Sequence, residues 1–283
     1  MCITWHADPL ATPDPPLATD LLACPHCREP LERDRRALRC TRGHSFDIAR
    51  QGYVSLIAGG GLRHHGDTGE MIAARAAFLG AGHFDPIADA LVTAARTEAP
   101  GAIVDLGAGT GHYLARVLDA EGERAGLALD ASRHAAGHAA RSHERTTAVV
   151  CDVWAELPVR SGVAAAVLNV FAPRNPSEMR RVLHDRGVLV VVHPTARHLQ
   201  EIVETLGLLT VDAAKEQRLA YKLGPAFELT TTSECEYEMS LTPAALSALV
   251  AMGPSARHTG VHADLPATEV TASVTVSTYA PRA

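Results

Sequence analysis

The 283-residue chain is predicted to be an α/β protein, with a Rossmann-like, mostly parallel seven-stranded sheet behind a small N-terminal metal-binding domain. Three observations predict this. Apolar runs of strand length alternate with helical patterns between residues 102 and 192, the mark of a doubly wound sheet. A glycine-rich turn, Gly107-Ala-Gly-Thr-Gly111, follows the first of these runs. Near the N-terminus, Cys24, Cys27, Cys40 and His44 read C-x2-C-x12-C-x3-H. That spacing lets two turns offer three thiolates and an imidazole to one tetrahedral zinc ion.

The elements follow in chain order. Residues 1–21 hold four prolines before Asp20 and lack the basic start and apolar core of a signal peptide, so an extension with little order is expected. Residues 22–58 are the expected zinc domain, with Pro25, Pro30 and Gly43 suited to its turns. A zinc shell closed by four protein ligands is structural, so chemistry must lie elsewhere. Nothing else in the chain looks secreted, which disfavours a disulfide framework and fits a reducing cytoplasm. Residues 59–86 are expected to form a linker (Ala58-Gly-Gly-Gly61, then His64-His65-Gly66-Asp67) and a helix over Gly69–Leu79. Residues 87–283 make the large domain. No apolar run reaches membrane-spanning length.

Net charge is −6, which taken alone argues against nucleic acid. The zinc segment departs from that average. Seven arginines (Arg28, Arg33, Arg35, Arg36, Arg39, Arg42 and Arg50) stand against Glu29, Glu32, Asp34 and Asp47. Such a stretch can be an ordinary solvated face; beside a zinc knuckle, contact with RNA phosphates is the better reading.

The strand Ile103–Leu106 carries Asp105 and runs into Gly107-x-Gly109-x-Gly111, then a helix from Tyr113 to Ala120. Glycines here let backbone amides approach a ligand at a helix N-terminus. A dinucleotide fingerprint would need glycine at 112, where His112 stands. An acid before the turn and glycine at 111 point instead to S-adenosylmethionine and the class I methyltransferase fold. Asp130 ends the next strand, Gly126–Asp130, where it would take both ribose hydroxyls. A third strand, Thr147–Val150, leads to Asp152 and Val153 at the adenine.

The strand Ala164–Val170 ends beside the reacting methyl group, so Asn169, Phe171 and Arg174 are expected to border the acceptor. A proline-rich structural turn is the plainer alternative. A helix capped by Ser177 is expected over Glu178–His184, stopped by Gly187. A strand over Val188–Val192 follows and brings His193 and His198 to the same end of the sheet. The tail reads as antiparallel: Phe227–Met239, a helix Pro243–Met252, and Ala272–Tyr279.

With these residues in view, the chain resembles the zinc-containing 23S rRNA (guanine-N1)-methyltransferases, which modify a hairpin loop in domain II. The resemblance rests on Cys24-Pro-x-Cys27, Cys40-x3-His44-x-Phe46-Asp47, Gly52-Tyr53-Val54, Gly66-Asp67-x2-Glu70-Met71 and Ala74-Arg75-x-Ala77-Phe78-Leu79. It extends through Ala81-Gly82-His83-Phe84-x-Pro86, Asp105-x-Gly107-x-Gly109, Ala172-Pro173 and Arg197-His198-Leu199. It implies that Cys24, Cys27, Cys40 and His44 bind zinc, and that Phe84, Gly109, Thr110 and His198 touch the cofactor. Phe84 stands where the family often carries tyrosine, which keeps stacking and loses a hydroxyl. The resemblance also implies a homodimer.

Guanine N1 carries a proton that must leave for its lone pair to attack. Alignment supplies most of the acceleration, and a polar group takes the proton. His193, His198 and Asp67 are candidates for that role, with Asn169 and Arg174 beside the acceptor. A loop guanine must be splayed out, and Phe171 or Tyr53 would stack on it. Family members modify guanine 745 or guanine 748, the latter conferring resistance to tylosin-type macrolides. The basic residues are 24 Arg and two Lys, a high-GC bias that leans toward 748. Housekeeping methylation at 745, a small-molecule methyltransferase with a zinc lid, and a non-catalytic RNA-binding regulator are the other readings.

Overall fold

The structure, a computed structural model, describes residues 17–59, 61–62, 66–203, 221–253 and 266–282. The zinc segment forms a three-stranded antiparallel sheet of β1 (Leu31–Asp34), β2 (Ala37–Cys40) and β3 (Ser45–Asp47). Arg35, at φ 55°, turns the β1–β2 hairpin. The chain then enters the large sheet through a short strand, β4 (Val54–Ser55), which pairs in parallel with β7.

The large sheet has eight strands in the order β10-β11-β9-β8-β5-β6-β7-β4. Its parallel strands are β5 (Ala102–Leu106), β6 (Gly126–Asp130), β7 (Thr146–Val150), β8 (Ala164–Val170) and β9 (Leu183–Pro194). Both β10 (Phe227–Leu241) and β11 (Thr268–Pro281) run antiparallel to their neighbours. Seven strands were expected. The eighth is β4, contributed by the zinc segment, whose two residues are too few to carry a periodic signal. Every residue of β5, β7 and β8 is buried, because helices cover both faces of the sheet. One apolar layer gathers Phe84, Leu114, Val170, Val192 and Leu246; the other gathers Leu22, Val167, Val191, Phe227 and Tyr279.

Among the described residues, the helices include α1 (Gly69–Gly80), α2 (Asp85–Ala95), α3 (His112–Ala120), α4 (Arg133–Ala139), α5 (Pro176–Val182), α6 (Gln200–Val203) and α7 (Pro243–Met252). The Thr68 hydroxyl caps α1 by accepting from the Met71 amide.

Two local expectations are corrected. The cap of α5 is Asn175 and not Ser177, since Pro176 already has the fixed φ of a first helical residue. Gly187 does not stop a helix but lies inside β9, where an added Cβ would meet the Ala165 carbonyl oxygen at 2.8 Å. The glycine lets β9 press against β8.

The end of the expected N-terminal extension is ordered. Leu22 is fully buried and bridges Val159, Arg160 donates its amide to the Leu21 carbonyl, and Ala18 donates to the Thr147 hydroxyl. Residues 1–16 lie outside the described residues, as do Gly60 and residues 63–65 of the expected linker, with His64 and His65. Among the described residues, no helix is long and apolar enough to cross a membrane.

Candidate functional site

The four expected metal ligands converge. The Sγ atoms of Cys27 and Cys40 lie 3.7 Å apart, and His44 Nδ1 lies 3.5 Å from Cys24 Sγ and 3.3 Å from Cys40 Sγ. All four ligand atoms fall within 4.8 Å of one another. Zinc bonds of about 2.3 Å to sulfur and about 2.0 Å to nitrogen give tetrahedral edges of about 3.8 and 3.5 Å, so the cluster fits the ion. Two turns shape it. The Arg28 amide donates to the Cys24 carbonyl across one knuckle, and the Gly43 amide to the Cys40 carbonyl across the other. Burial pushes the Cys24 thiol up to about 11. At Cys40, burial is outweighed by the His44 and Arg42 amides, which bring the thiol down to about 6. Bound zinc would lock both turns together.

The seven arginines of this module divide. Arg28 belongs to the fold: it pairs with Glu156 at 3.1 Å and donates to the carbonyls of Leu157 (2.8 Å) and Val159 (3.0 Å). It clamps the zinc module to the large domain through its Nε, Nη1 and Nη2. Arg33 donates to the Arg35 carbonyl. Arg39 and Arg42 make exposed pairs with Asp34 and Glu29, at 3.2 and 3.8 Å, of a kind worth little in water. Arg35, Arg36 and Arg50 are exposed, as is His26, whose ring stacks on Phe46 with 5.8 Å between centroids.

The second site lies at the carboxyl ends of β5, β6 and β7. Gly107, Gly109 and Gly111 all have positive φ (74°, 55° and 79°). A Cβ on Gly107 would meet Ala172 Cβ at 2.7 Å, and one on Gly111 would meet Ser142 Oγ at 2.5 Å. Thus the turn is closed on both sides by neighbouring side chains that leave no room for a Cβ. Asp130 closes β6 with both oxygens engaged: Oδ2 accepts from the Gly109 amide at 2.9 Å and Oδ1 from the Ser132 amide at 2.8 Å. This braces the turn against the strand end. Asp152 accepts from the Trp154 amide at 2.9 Å; Val153, next to it, and Thr110 of the glycine turn are both buried. Asp105 is buried, and that burial, helped by the neighbouring Asp130, pushes its carboxyl up to about 8.

At the adjoining mouth, Phe84, Phe171 and His198 form one aromatic cluster with centroid separations of 5.8 to 6.2 Å. Phe84 precedes α2, Phe171 ends β8 and His198 follows β9, so three distant segments meet. Phe171 is held at φ 52° by donating its amide to the Val192 carbonyl, and it is 42% exposed. His198 Nδ1 accepts the Ser273 amide at 3.1 Å. A neutral imidazole that accepts at Nδ1 carries its proton on Nε2, so His198 presents a donor and not a base.

The three residues expected to be catalytic are placed otherwise. Side chains alternate along a strand. Val170 and Val192 face the layer containing Phe84, so Asn169 and His193 point the other way. Asn169 is fully buried and donates Nδ2 to the Pro173 carbonyl at 2.8 Å, holding the turn that carries Phe171. His193 is buried, with Nδ1 3.4 Å from the Pro194 carbonyl. Arg174 is half-buried, its Nε has no hydrogen-bond partner among the described residues, and burial lowers its pKa, with Tyr279 of the opposite layer acting on its charge. Neither Asn169 nor His193 enters the aromatic mouth.

Two residues outside the expected site set also reach the glycine turn. Arg75 of α1 crosses over Gly109, and Tyr113 of α3 is buried behind it. Only the Ala74-Arg75 pair within the family-like segments could have pointed to the first.

A sheet whose order reverses beside β5, with a glycine turn there and acids on the next two strands, defines an enzyme fold that takes a nucleoside cofactor at its switch point. Residues 22–58 match the family model described as RlmA, N-terminal, a zinc ribbon. A relative from Streptomyces fradiae, named 23S rRNA (guanine(748)-N(1))-methyltransferase, is 47% identical over 92% of this chain and 96% of its own length. A Micromonospora griseorubida relative named for 23S rRNA guanine-N1 methylation is 51% identical over 84% of this chain and 87% of its own. One from Bacillus subtilis, YxjB, is 31% identical over 66% of this chain and 68% of its own. The chain belongs to the 23S rRNA (guanine-N1)-methyltransferase family.

Proposed function

We propose that this chain transfers a methyl group from S-adenosylmethionine to N1 of guanine 748 in the domain II hairpin of 23S rRNA, protecting its host from tylosin-type macrolides. The observation that carries this reading is the relationship to the guanine-748 enzyme across nearly the whole chain. The reaction requires a cytoplasmic setting, and a homodimer is part of the proposal. Zinc-dependent RNA recognition is assigned to residues 22–58, closure over the cofactor to residues 59–86, and transfer to residues 87–283.

The cofactor supplies an electrophilic methyl on a sulfonium. Around it, the Gly107, Gly109 and Gly111 turn with Thr110 would offer backbone amides, Asp130 would take the ribose, and Asp152 with Val153 would take the adenine. Phe84 and His198 wall the reacting end. Phe171, exposed and held rigidly by its backbone, stacks on the splayed guanine, an interaction with little base preference. The Nε2 proton of His198 is placed to donate to the base edge. Asp67 is engaged by Arg75 at 2.7 Å. Removal of the N1 proton is therefore assigned to solvent, and the enzyme's contribution is alignment. Arg35, Arg36 and Arg50, aided by Arg39 and Arg42, hold the hairpin backbone.

The test is tritiated S-adenosylmethionine with unmodified 23S rRNA, mapped by primer extension. A reverse-transcription stop at guanine 748 is expected, because N1 methylation blocks pairing. A stop at 745 would make this a housekeeping enzyme, and label on a macrolide with none on rRNA would overturn the reading.

A further inference from the structure

Four large apolar side chains stand exposed among the described residues, and two of them, Trp154 and Phe171, lie on loops leaving the carboxyl ends of sheet strands. Phe171 follows β8 and is assigned to the target guanine. Trp154 follows β7, is 44% exposed, and has no part in that assignment.

The backbone under Trp154 is held from both sides. Its amide donates to Asp152 Oδ1 at 2.9 Å. Asn175 Nδ2 reaches three successive carbonyls, those of Val153 (3.4 Å), Trp154 (3.2 Å) and Ala155 (3.1 Å). The Asn175 amide is itself oriented by the Ser177 hydroxyl, which donates to Oδ1 at 3.0 Å. A backbone fixed in this way aims the Cα–Cβ bond, so the indole has only its two side-chain torsions to lose on contact with a partner.

The same loop joins the zinc module to the acceptor mouth. Glu156, two residues on, pairs with Arg28 of the module, and Arg28 also donates to the Leu157 and Val159 carbonyls. The Ala23 amide donates to the Pro158 carbonyl at 3.0 Å. On the other side, Asn175 lies four residues past Phe171, in the turn that Asn169 holds through the Pro173 carbonyl. Trp154 therefore stands on a run of contacts with the arginine-bearing module at one end and the loop of Phe171 at the other. Residues 152–156 contain Asp152 and Glu156 and no cation, which suits the loop to an uncharged base and not to a phosphate.

Splaying one guanine out of a hairpin loop bares the face of the base that was stacked on it. An indole offers a broad flat surface to replace that lost stack, with little base preference. We propose that Trp154 is the stacking platform for a second unpaired nucleotide of the hairpin loop, a neighbour of the target guanine. This rests on the rRNA reading above and adds a base contact between the zinc module and the mouth.

Trp5 and Trp154 are the two tryptophans of the chain, so in a Trp5→Phe background the emission of the zinc-loaded full chain reports Trp154 alone. Three ligands are compared: the unmodified domain II hairpin, an RNA duplex of equal length without a loop, and S-adenosylhomocysteine. The hairpin alone is expected to quench the indole. By titration calorimetry, Trp154→Ala is expected to weaken hairpin binding roughly 10- to 100-fold, and Trp154→Phe, which keeps a ring, by less than about fivefold. Duplex and S-adenosylhomocysteine affinities should stay within about twofold in both variants. Quenching by S-adenosylhomocysteine would put the indole on the cofactor's adenine and overturn the proposal. An equal loss for hairpin and duplex would make Trp154 a brace of the module joint, and hairpin binding without a change in emission would leave no base on the ring. If the Trp5→Phe protein bound the hairpin no more tightly than the duplex, the rRNA reading itself would fail.

Discussion

The zinc module and the cofactor cradle solve the same problem, holding a tight turn open to a ligand, by opposite means. The module spans residues 22–58 and is built of four short strands, so its two knuckles depend on the metal that links them. The cradle sits on the sheet. Its glycine turn is braced by Asp130, by Ala172 and by Ser142, all of which the folded core already places. One site is assembled by its ligand and the other exists before its ligand arrives.

Removing zinc breaks this comparison most strongly. Chelation, or Cys27→Ala, is expected to lower rRNA methylation by at least roughly 100-fold as the module unfolds. Calorimetric binding of S-adenosylhomocysteine should change only a few-fold. Loss of both activities together would show that the cradle, too, depends on the metal, through β4.

Phe171→Ala comes next. Loss of one stacking surface should lower kcat/KM on rRNA by roughly tenfold and leave S-adenosylhomocysteine binding intact, as measured by single-turnover methylation and calorimetry. The combined change Arg35→Gln, Arg36→Gln and Arg50→Gln is expected to weaken hairpin binding by roughly tenfold at physiological salt. A plot of affinity against salt should flatten by roughly two to three units of slope. Arg28→Gln sharpens the contrast within the module. It should leave the salt slope unchanged and instead lower the thermal midpoint by a few degrees, because its partners are Glu156, Leu157 and Val159 of the large domain.

Asp105 gives the most specific effect. Its carboxyl stands at about 8 in the folded protein, against about 4 in an unfolded chain. Between those values the folded state holds a proton that the unfolded state has lost. Stability should therefore fall as pH rises from about 4 to 8. Asp105→Asn should flatten that slope in pH-dependent thermal melts. A bound cation favours the ionised form, so cofactor affinity should rise through pH 8 in the unaltered protein and not in the variant.

Much of this was legible along the chain because the chemistry is local. Cys24, Cys27, Cys40 and His44 fall within one short segment, and their spacing alone implies the tetrahedron that the structure assembles. The strand, the glycine turn and α3 are contiguous as well, and Asp130 is placed by the rule that acids close successive strands of such a sheet. The expectations that failed were those that assigned direction from position. Asn169 and His193 do stand at strand ends, but a period of two turns them from the mouth, a distinction available from the alternation of Leu168 and Val170 around Asn169.

The sequence by itself therefore determined the metal-binding set, the cofactor turn and the doubly wound class, since each is written in residues close enough to interact without the rest of the fold. Only the tertiary structure decided which arginines remain exposed to a partner, which aromatics share a mouth and which cation lies on the glycine turn. Arg28 meets Glu156, Phe84 meets Phe171 and His198, and Arg75 meets both Gly109 and Met252. Those contacts join segments tens to well over a hundred residues apart, and they exist only after the apolar layers on the two faces of the sheet have closed.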